Sequence, residues 1–324
     1  MKILLTGGAG YIGSHTAIEL LTSGYEVVIV DNLRNSKLSV IDRISEISGK
    51  APSFYELDVA DHAALDLVFK QEQPGAVIHF AGLKAVGESV ANPLLYYQLN
   101  LLTSMSLCRA MADNKVTSLV FSSSATVYGE PERIPLDESC DATQATNPYG
   151  RTKIIIEQML RDLCDANPEF NVALLRYFNP AGAHPSGRLG EDPKGVPNNL
   201  VPFLTQVAVG LRDELVINGD DYPTEDGTCV RDYIHVQDLA RGHVAALRKL
   251  QSSCNLVTYN LGTGTGHSVQ EVVAAFELAT NQDLPRTIGA RRAGDVPRSY
   301  TDPSLAEREL GWKAELTIED ICRD

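Results

Sequence analysis

The chain has 324 residues and carries 28 lysines and arginines against 42 aspartates and glutamates, a formal net charge of −14. An anionic field of that size repels phosphate backbones and acidic bilayers, which argues against nucleic-acid and membrane partners; an anionic small ligand then needs a local cluster of arginines. Six cysteines (Cys108, Cys140, Cys164, Cys229, Cys254, Cys322) stand without Cys-x-x-Cys spacing, so neither a metal site nor a disulfide framework is expected, and reduced thiols in a cytoplasmic setting are.

Lys2 to Thr6 reads as a buried strand. It is too short for a signal peptide or a membrane span, and no run of about 18 apolar residues follows. Gly7-Gly-Ala-Gly-Tyr-Ile-Gly13 comes next and leads into a helical pattern, the phosphate-binding start of a Rossmann unit. Gly7 serves the tight turn, Gly10 lets a pyrophosphate approach the helix N-terminus, and Gly13 permits close helix-to-strand packing.

A second strand, Glu26 to Val30, ends in Asp31, 18 residues past Gly13, where an acid meets the adenosine ribose and disfavours a 2′-phosphate. NAD is therefore the expected cofactor, with Asn32, Asn35 and Ser36 as further hydrogen-bonding groups in the loop. Ser53 to Leu57 is a third strand running into Asp58-Val59, beside the adenine. Ala76 to Phe80 is a fourth, and Ala81-Gly82-Leu83-Lys84 leaves its carboxyl end toward the ligand crevice. Pro93 to Asp113 is an amphipathic helix whose apolar arc is broad enough for a core and a partner.

Ser118 to Ser122 is a fifth strand that delivers Ser123 and Ser124 to the same crevice edge. Tyr149, 25 residues beyond Ser124, and Lys153 lie one helical turn apart on one face. Asn171 to Tyr177 is a sixth strand. The alternation over residues 1–180 predicts an α/β fold, a doubly wound parallel Rossmann sheet that binds NAD. After Ala181 the texture turns to glycine, proline and asparagine, a connection and lid, and residues 181–324 are expected to form a smaller mixed lobe for the substrate, partly interleaved with the first domain. Helices Leu200 to Gly210, Val236 to Leu250 and Val269 to Thr280 and a strand Leu215 to Ile217 are predicted there. Arg231, Arg291 and Arg292 are natural clamps for a diphosphate in so acidic a chain.

Oxidising a secondary alcohol with NAD needs a base for the hydroxyl proton. A phenol must lose about 3 pKa units to serve near neutrality, about 4 kcal/mol of phenolate stabilisation. Tyr149 is assigned as that base, Lys153 as its electrostatic support and ribose anchor, and Ser124 as hydrogen-bonding partner or proton relay at the reacting hydroxyl.

The segments Thr6 to His15, His79 to Ser89, Ser122 to Gly129, Pro148 to Lys153 and Leu175 to Pro180 together resemble the UDP-glucose 4-epimerase family of extended short-chain dehydrogenase/reductases. Pro223 to Gly227 and Arg231 to His235 are specific to that branch. The resemblance implies interconversion of UDP-glucose and UDP-galactose through a 4-keto intermediate on tightly bound NAD, and a homodimer built on the helices at Pro93 to Asp113 and Tyr149 to Cys164. It further implies that Tyr11, Ile12, Asp31, Asn32, Asn35, Ser36, Asp58, Val59, Phe80, Ala81, Gly82, Lys84 and Phe178 contact the cofactor. Asn179, Asn199, Leu200, Arg231, Arg292 and Asp295 are implied to contact UDP or sugar, and Val216, Ile217 and Asn218 to lie near the uracil.

Two positions depart from the pattern. Leu99 replaces an asparagine, which leaves Asn100 as the polar residue there, and Ser299 stands where some relatives carry a bulky tyrosine, which makes room for N-acetylated UDP-hexosamines. Two rival readings stay open: a 4,6-dehydratase, which needs an Asp-Glu pair where this chain has Ala125-Thr126, and a non-catalytic NAD-sensing Rossmann protein.

Overall fold

The computed structural model describes residues 1–252, 254–292 and 294–324. The first half runs β1 (Lys2–Thr6), α1 (Tyr11–Thr22), β2 (Glu26–Asp31), α2 (Ser39–Ser48), β3 (Ser53–Glu56), α3 (His62–Glu72), β4 (Ala76–His79), α4 (Val86–Ala91), α5 (Pro93–Asp113), β5 (Ser118–Ser124), α6 (Pro148–Ala166) and β6 (Asn171–Tyr177). The second half runs β7 (Asn179–Ala181), α7 (Leu200–Ala208), β8 (Leu215–Asn218), β9 (Val230–Arg231), β10 (Tyr233–His235), α8 (Val236–Leu250) and β11 (Leu256–Leu261). It closes with β12 (His267–Ser268), α9 (Val269–Thr280), β13 (Arg286–Gly289), β14 (Arg298–Ser299), α10 (Ser304–Leu310) and α11 (Ile318–Arg323).

Seven parallel strands in the order β11-β6-β5-β4-β1-β2-β3 form the central sheet, the doubly wound α/β arrangement that the strand and helix alternation predicts. Both faces are covered, so the inner strands are near-continuous runs of buried residues. On one face Ile3, Leu5, Ile29, Ile78 and Leu175 pack with α1 and α8 residues such as Leu20, Leu239 and Leu247. On the other, Leu4, Val28, Val77, Leu119 and Leu174 meet Leu65, Leu107, Met111, Ile156 and Leu160 from α3, α5 and α6.

Two features depart from the sequence reading. β5 runs on to Ser124, because Ser123 and Ser124 stay in register with Arg176 and Tyr177 of β6; these serines are strand, not loop. The seventh strand, β11, comes from beyond residue 250 and pairs with β6 along its whole length. No strand is predicted for Leu-Val-Thr-Tyr-Asn-Leu, although its β-branched and aromatic residues and the glycines after it suit one; the edge of β6 gives it its partner.

The remaining strands are short. β8 pairs with β13, β9 lies between β12 and β14, and β7 pairs with β10. A separate apolar cluster, including Leu204, Ile217, Val272, Phe276 and Ile321, joins α7, α9 and α11 to β8.

Candidate active site

The carboxyl ends of the parallel strands open into a cavity of about 1100 Å³ that extends between the sheet and the second-half elements. Its floor is the glycine turn. Gly7 has φ +70°, and a Cβ there would stand 2.7 Å from the Ala81 nitrogen, while one on Gly13 would stand 2.5 Å from the Gly7 carbonyl oxygen. Gly10, at the start of α1, would meet only that same oxygen at 3.2 Å, and no side chain caps the helix. The turn thus presents backbone N–H groups and a positive helix end to the cavity, a cradle suited to the pyrophosphate of a dinucleotide.

At the end of β2, Asp31 accepts hydrogen bonds from the Ala9 nitrogen (3.1 Å), the Leu33 nitrogen (2.9 Å) and the Ser36 hydroxyl (2.9 Å). Ser36 therefore orients the acid, and Asn32 donates to Asp58 at 3.1 Å. Val59, Phe80, Ala81, Gly82, Lys84 and Asn35 line the same end of the cavity with Tyr11 and Ile12. Leu99 lines it too, whereas Asn100 turns away to clamp the loop after β4: it accepts from the Leu83 nitrogen at 2.8 Å and donates to the Leu83 oxygen at 3.1 Å and to Thr152 at 3.0 Å.

α6 begins with Asn147, whose side chain accepts from the Gly150 nitrogen at 2.9 Å, and with Pro148, whose fixed φ suits a first helical residue. This start places Tyr149 in the first turn, facing the end of β5. The Lys153 ammonium donates to the Ser122 carbonyl oxygen at 2.6 Å and lies 5.8 Å from the Tyr149 ring centroid. Burial pushes the lysine down to about 8, with the nearby Glu157 carboxylate acting to raise it. Burial pushes the Tyr149 phenol up, and the Ser124 hydroxyl pulls it down. The lowered phenol expected from the sequence is therefore not a property of the protein side chains alone, because desolvation of a phenolate outweighs one hydrogen bond.

The second-half elements close the other end. Arg292 and Asp295 pair at 2.7 Å, and Arg231 reaches Asp295 at 3.5 Å while donating to the Val296 oxygen at 2.7 Å. Arg231 and Ser299 are register partners on β9 and β14. Arg291 leaves this cluster: it lies over the Tyr222 ring and pairs with Asp221. Asn199 precedes α7, and Val216, Ile217 and Asn218 run along β8; with Leu200, Phe178 and Asn179 they line the cavity. All the residues assigned from the sequence to cofactor, chemistry and substrate thus face one cavity, apart from Arg291, which does not line it.

Glu191 escaped the sequence reading. Its buried carboxylate accepts from Lys84 at 2.7 Å and from the Asn199 amide at 2.9 and 3.0 Å, and it sits in a glycine- and proline-rich segment with no periodic signal. The segment is strapped to the first half by Lys37 to Asp192, Lys194 to the Leu33 oxygen, and Arg188 to Glu46. No group of three or more metal-ligating side chains occurs among the described residues.

The model of the NAD dependent epimerase/dehydratase family matches residues 3–262. A UDP-glucose 4-epimerase of Bacillus subtilis is 58% identical over 324 residues, covering 100% of this chain and 95% of that protein. The human UDP-glucose 4-epimerase is 54% identical, covering 100% of this chain and 94% of its own length. The crystal structure of UDP-glucose 4-epimerase from Bifidobacterium longum, in complex with NAD+ and UDP, superposes with a TM-score of 0.96 at 51% identity, covering 100% of this chain and 96% of that one. With the glycine cradle, the Ser124, Tyr149 and Lys153 set and full-length relatives above half identity, this chain belongs to the NAD-dependent epimerase/dehydratase family.

Proposed function

We propose that the chain is a UDP-glucose 4-epimerase that interconverts UDP-galactose and UDP-glucose on tightly bound NAD. One observation carries the reading: the Ser124, Tyr149 and Lys153 set and the Arg231, Arg292 and Asp295 cluster line one continuous cavity with the glycine cradle. A reacting alcohol and a diphosphate anchor are thus offered to the same ligand.

Gly7 to Gly13, Asp31, Asn32, Asn35, Ser36, Asp58, Val59, Phe80 to Gly82, Lys84 and Phe178 would hold the dinucleotide. Bound NAD supplies the acceptor and later the donor of the C4 hydride. Tyr149 takes the C4 hydroxyl proton and returns it, and Ser124 orients the oxygen. Lys153 supplies positive charge beside the phenol, which counts for more in a buried site than in water. Arg231 and Arg292 hold the diphosphate, Val216 to Asn218 flank the uracil, and Asn179, Asn199 and Leu200 bound the nucleotide sugar.

Inversion at C4 requires the 4-keto sugar to turn its other face while the nucleotide stays fixed. Charged anchors at the nucleotide end and small residues such as Ala125 and Thr126 after β5 suit that division of labour, with Ser299 adding space beside Arg231. Ala125 and Thr126 provide no acid-base pair for elimination, so a 4,6-dehydratase is not favoured, and the complete catalytic set argues against an NAD-sensing protein. Room at Ser299 extends the substrate range to UDP-GalNAc and UDP-GlcNAc.

The assembly we infer is a homodimer through α5 and α6. Leu94, Leu102 and Met105 on α5 and Ile155 on α6 are exposed, and the two helices pack side by side. No helix of the described residues is long and apolar enough to cross a membrane, and the six cysteines are unpaired, which suits a cytoplasmic setting. The test is incubation of the purified protein with UDP-galactose without added cofactor. UDP-glucose is expected to form; no product, even with NAD supplied, would overturn the reading.

A further inference from the structure

Behind the reacting set lies a buried charge cluster that the chemistry above does not use. Ser123 and Arg176 are register partners across β5 and β6, so their side chains leave the sheet on one face, the face that α6 covers. Glu157, one turn beyond Lys153 on α6, meets both. Its Oε1 accepts from the Ser123 hydroxyl at 2.6 Å and from Arg176 Nε at 2.9 Å; its Oε2 accepts from Arg176 Nη2 at 2.6 Å and Arg161 Nη2 at 3.1 Å. The Glu157 and Arg176 side chains are each 5% exposed. Arg176 also donates to the Tyr128 hydroxyl at 3.1 Å, which donates to Asn260 at 2.7 Å.

Burying such a pair costs several kcal/mol per ion, and apolar residues of the same volume are often as stable, so stability alone does not account for it. Its position supplies a reason. The Ser122 carbonyl oxygen is held by Lys153, the Ser123 hydroxyl by Glu157, and the next residue is Ser124. Two α6 residues one turn apart therefore grip two consecutive residues of β5. Any slip between helix and strand would move Ser124 relative to Tyr149, and a displacement of about 1 Å can cost on the order of 100-fold in rate.

We propose that Glu157, clamped by Arg176, is a positioning residue for the Tyr149, Lys153 and Ser124 set, fixing β5 against α6 through Ser123 and presenting its negative charge to Lys153. The proposal rests on the epimerase reading. Lys153 faces Tyr149 and Glu157 on its own helix, the Phe121 ring at 4.8 Å on β5 and His79 from β4, while Tyr177 of β6 bonds the Ser122 hydroxyl and Arg176 of β6 bonds Glu157. Burial keeps His79 neutral, pushed down to about 3, and keeps the Tyr177 phenol protonated. Arg176 is spent on Glu157, which leaves that carboxylate as the anion acting on the lysine.

Two variants of the holoenzyme separate the two tasks. Ser123→Ala removes the hydrogen bond and keeps the charge. It is expected to lower kcat about tenfold with KM within about twofold and the alkaline limb of the pH profile unmoved. Glu157→Gln keeps an acceptor for Ser123 and removes the charge, so Lys153 loses its proton at lower pH. The alkaline limb of kcat is expected to move down by about half a unit or more. The Lys153 Cε resonance in 13C-lysine protein, assigned with Lys153→Met, should titrate lower in Glu157→Gln and unchanged in Ser123→Ala, a readout independent of turnover.

If both variants fold with bound cofactor and keep the wild-type kcat, pH profile and lysine titration, the proposal is overturned. Should Glu157→Gln fail to fold, Ser123→Ala decides, and an unchanged kcat rejects positioning through β5. Absence of epimerisation by the wild type would count against the epimerase reading instead, with the lysine titration still deciding the role of Glu157.

Discussion

Glu191 and Lys84 form an ion pair of 2.7 Å that ties the segment after β7 to the loop after β4, and the acid is buried while the lysine is half in solvent. The same carboxylate holds Asn199, so a single side chain links a residue assigned to the cofactor with one assigned to the nucleotide sugar. The segment lines the same cavity as the glycine turn. In Glu191→Gln, loss of bound NAD on dialysis is expected to accelerate roughly three- to tenfold, the equivalent of about 1 kcal/mol from a partly exposed pair. The wild-type rate should rise with salt and the variant's rate should depend on it less; equal salt dependence would count against the latch.

Tyr149→Phe removes the hydroxyl proposed as the proton acceptor and leaves the ring. Turnover of UDP-galactose should fall by roughly 10²- to 10⁴-fold, while copurified cofactor and melting temperature stay near wild type. Retention of more than about a tenth of the activity would require another base.

Ser299 lies on β14 beside Arg231 and faces the cavity. Ser299→Tyr should abolish turnover of UDP-GalNAc while leaving that of UDP-galactose within about threefold, because the added ring fills the space an N-acetyl group needs. A parallel loss of both activities would mean that the position does not discriminate at C2.

His15, His79 and His243 are buried and held neutral, pushed down to about 4, about 3 and about 4 by desolvation. Unfolding frees them to take up protons at their ordinary value of 6.5, so the stability they confer is present above that pH and is lost as pH falls toward 4. With three such groups the slope approaches about 4 kcal/mol per pH unit below 6. Urea unfolding at pH 7, 6 and 5 measures it, and a flat midpoint over that range would contradict the burial argument.

If α5 and α6 form the proposed dimer interface, the wild type should sediment as a dimer and Met105→Asp, on the exposed face of α5, as a monomer. An unchanged sedimentation coefficient would move the interface elsewhere.

The residues assigned to cofactor and substrate were the ones that sequence spacing singled out, and the structure brings them to one cavity. Glycines at Gly7, Gly10 and Gly13 and an acid at Asp31 carry their purpose in spacing, because a strand, a tight turn and a helix end fix where each must stand. Tyr149 and Lys153 were legible for the same reason, one helical turn setting their separation. Glu191 and Glu157 were not. The first acts from an aperiodic segment whose partners are 107 and 8 residues away, and the second is an ordinary helical glutamate until β6 brings Arg176 against it. Arg291 shows the converse: it adjoins Arg292 in sequence, yet the backbone turns it toward Tyr222 and Asp221.

The pairing of β11 with β6 also has a bearing on synthesis. As the chain leaves the ribosome, β6 is complete at Tyr177, but its outer edge has no partner until Leu261 has emerged. For that interval the nascent protein exposes a long, apolar strand edge of the kind that recruits other chains. Nascent chains halted where β6 has left the ribosome but β11 has not should therefore occupy chaperones, whereas those halted after β11 has emerged should release them.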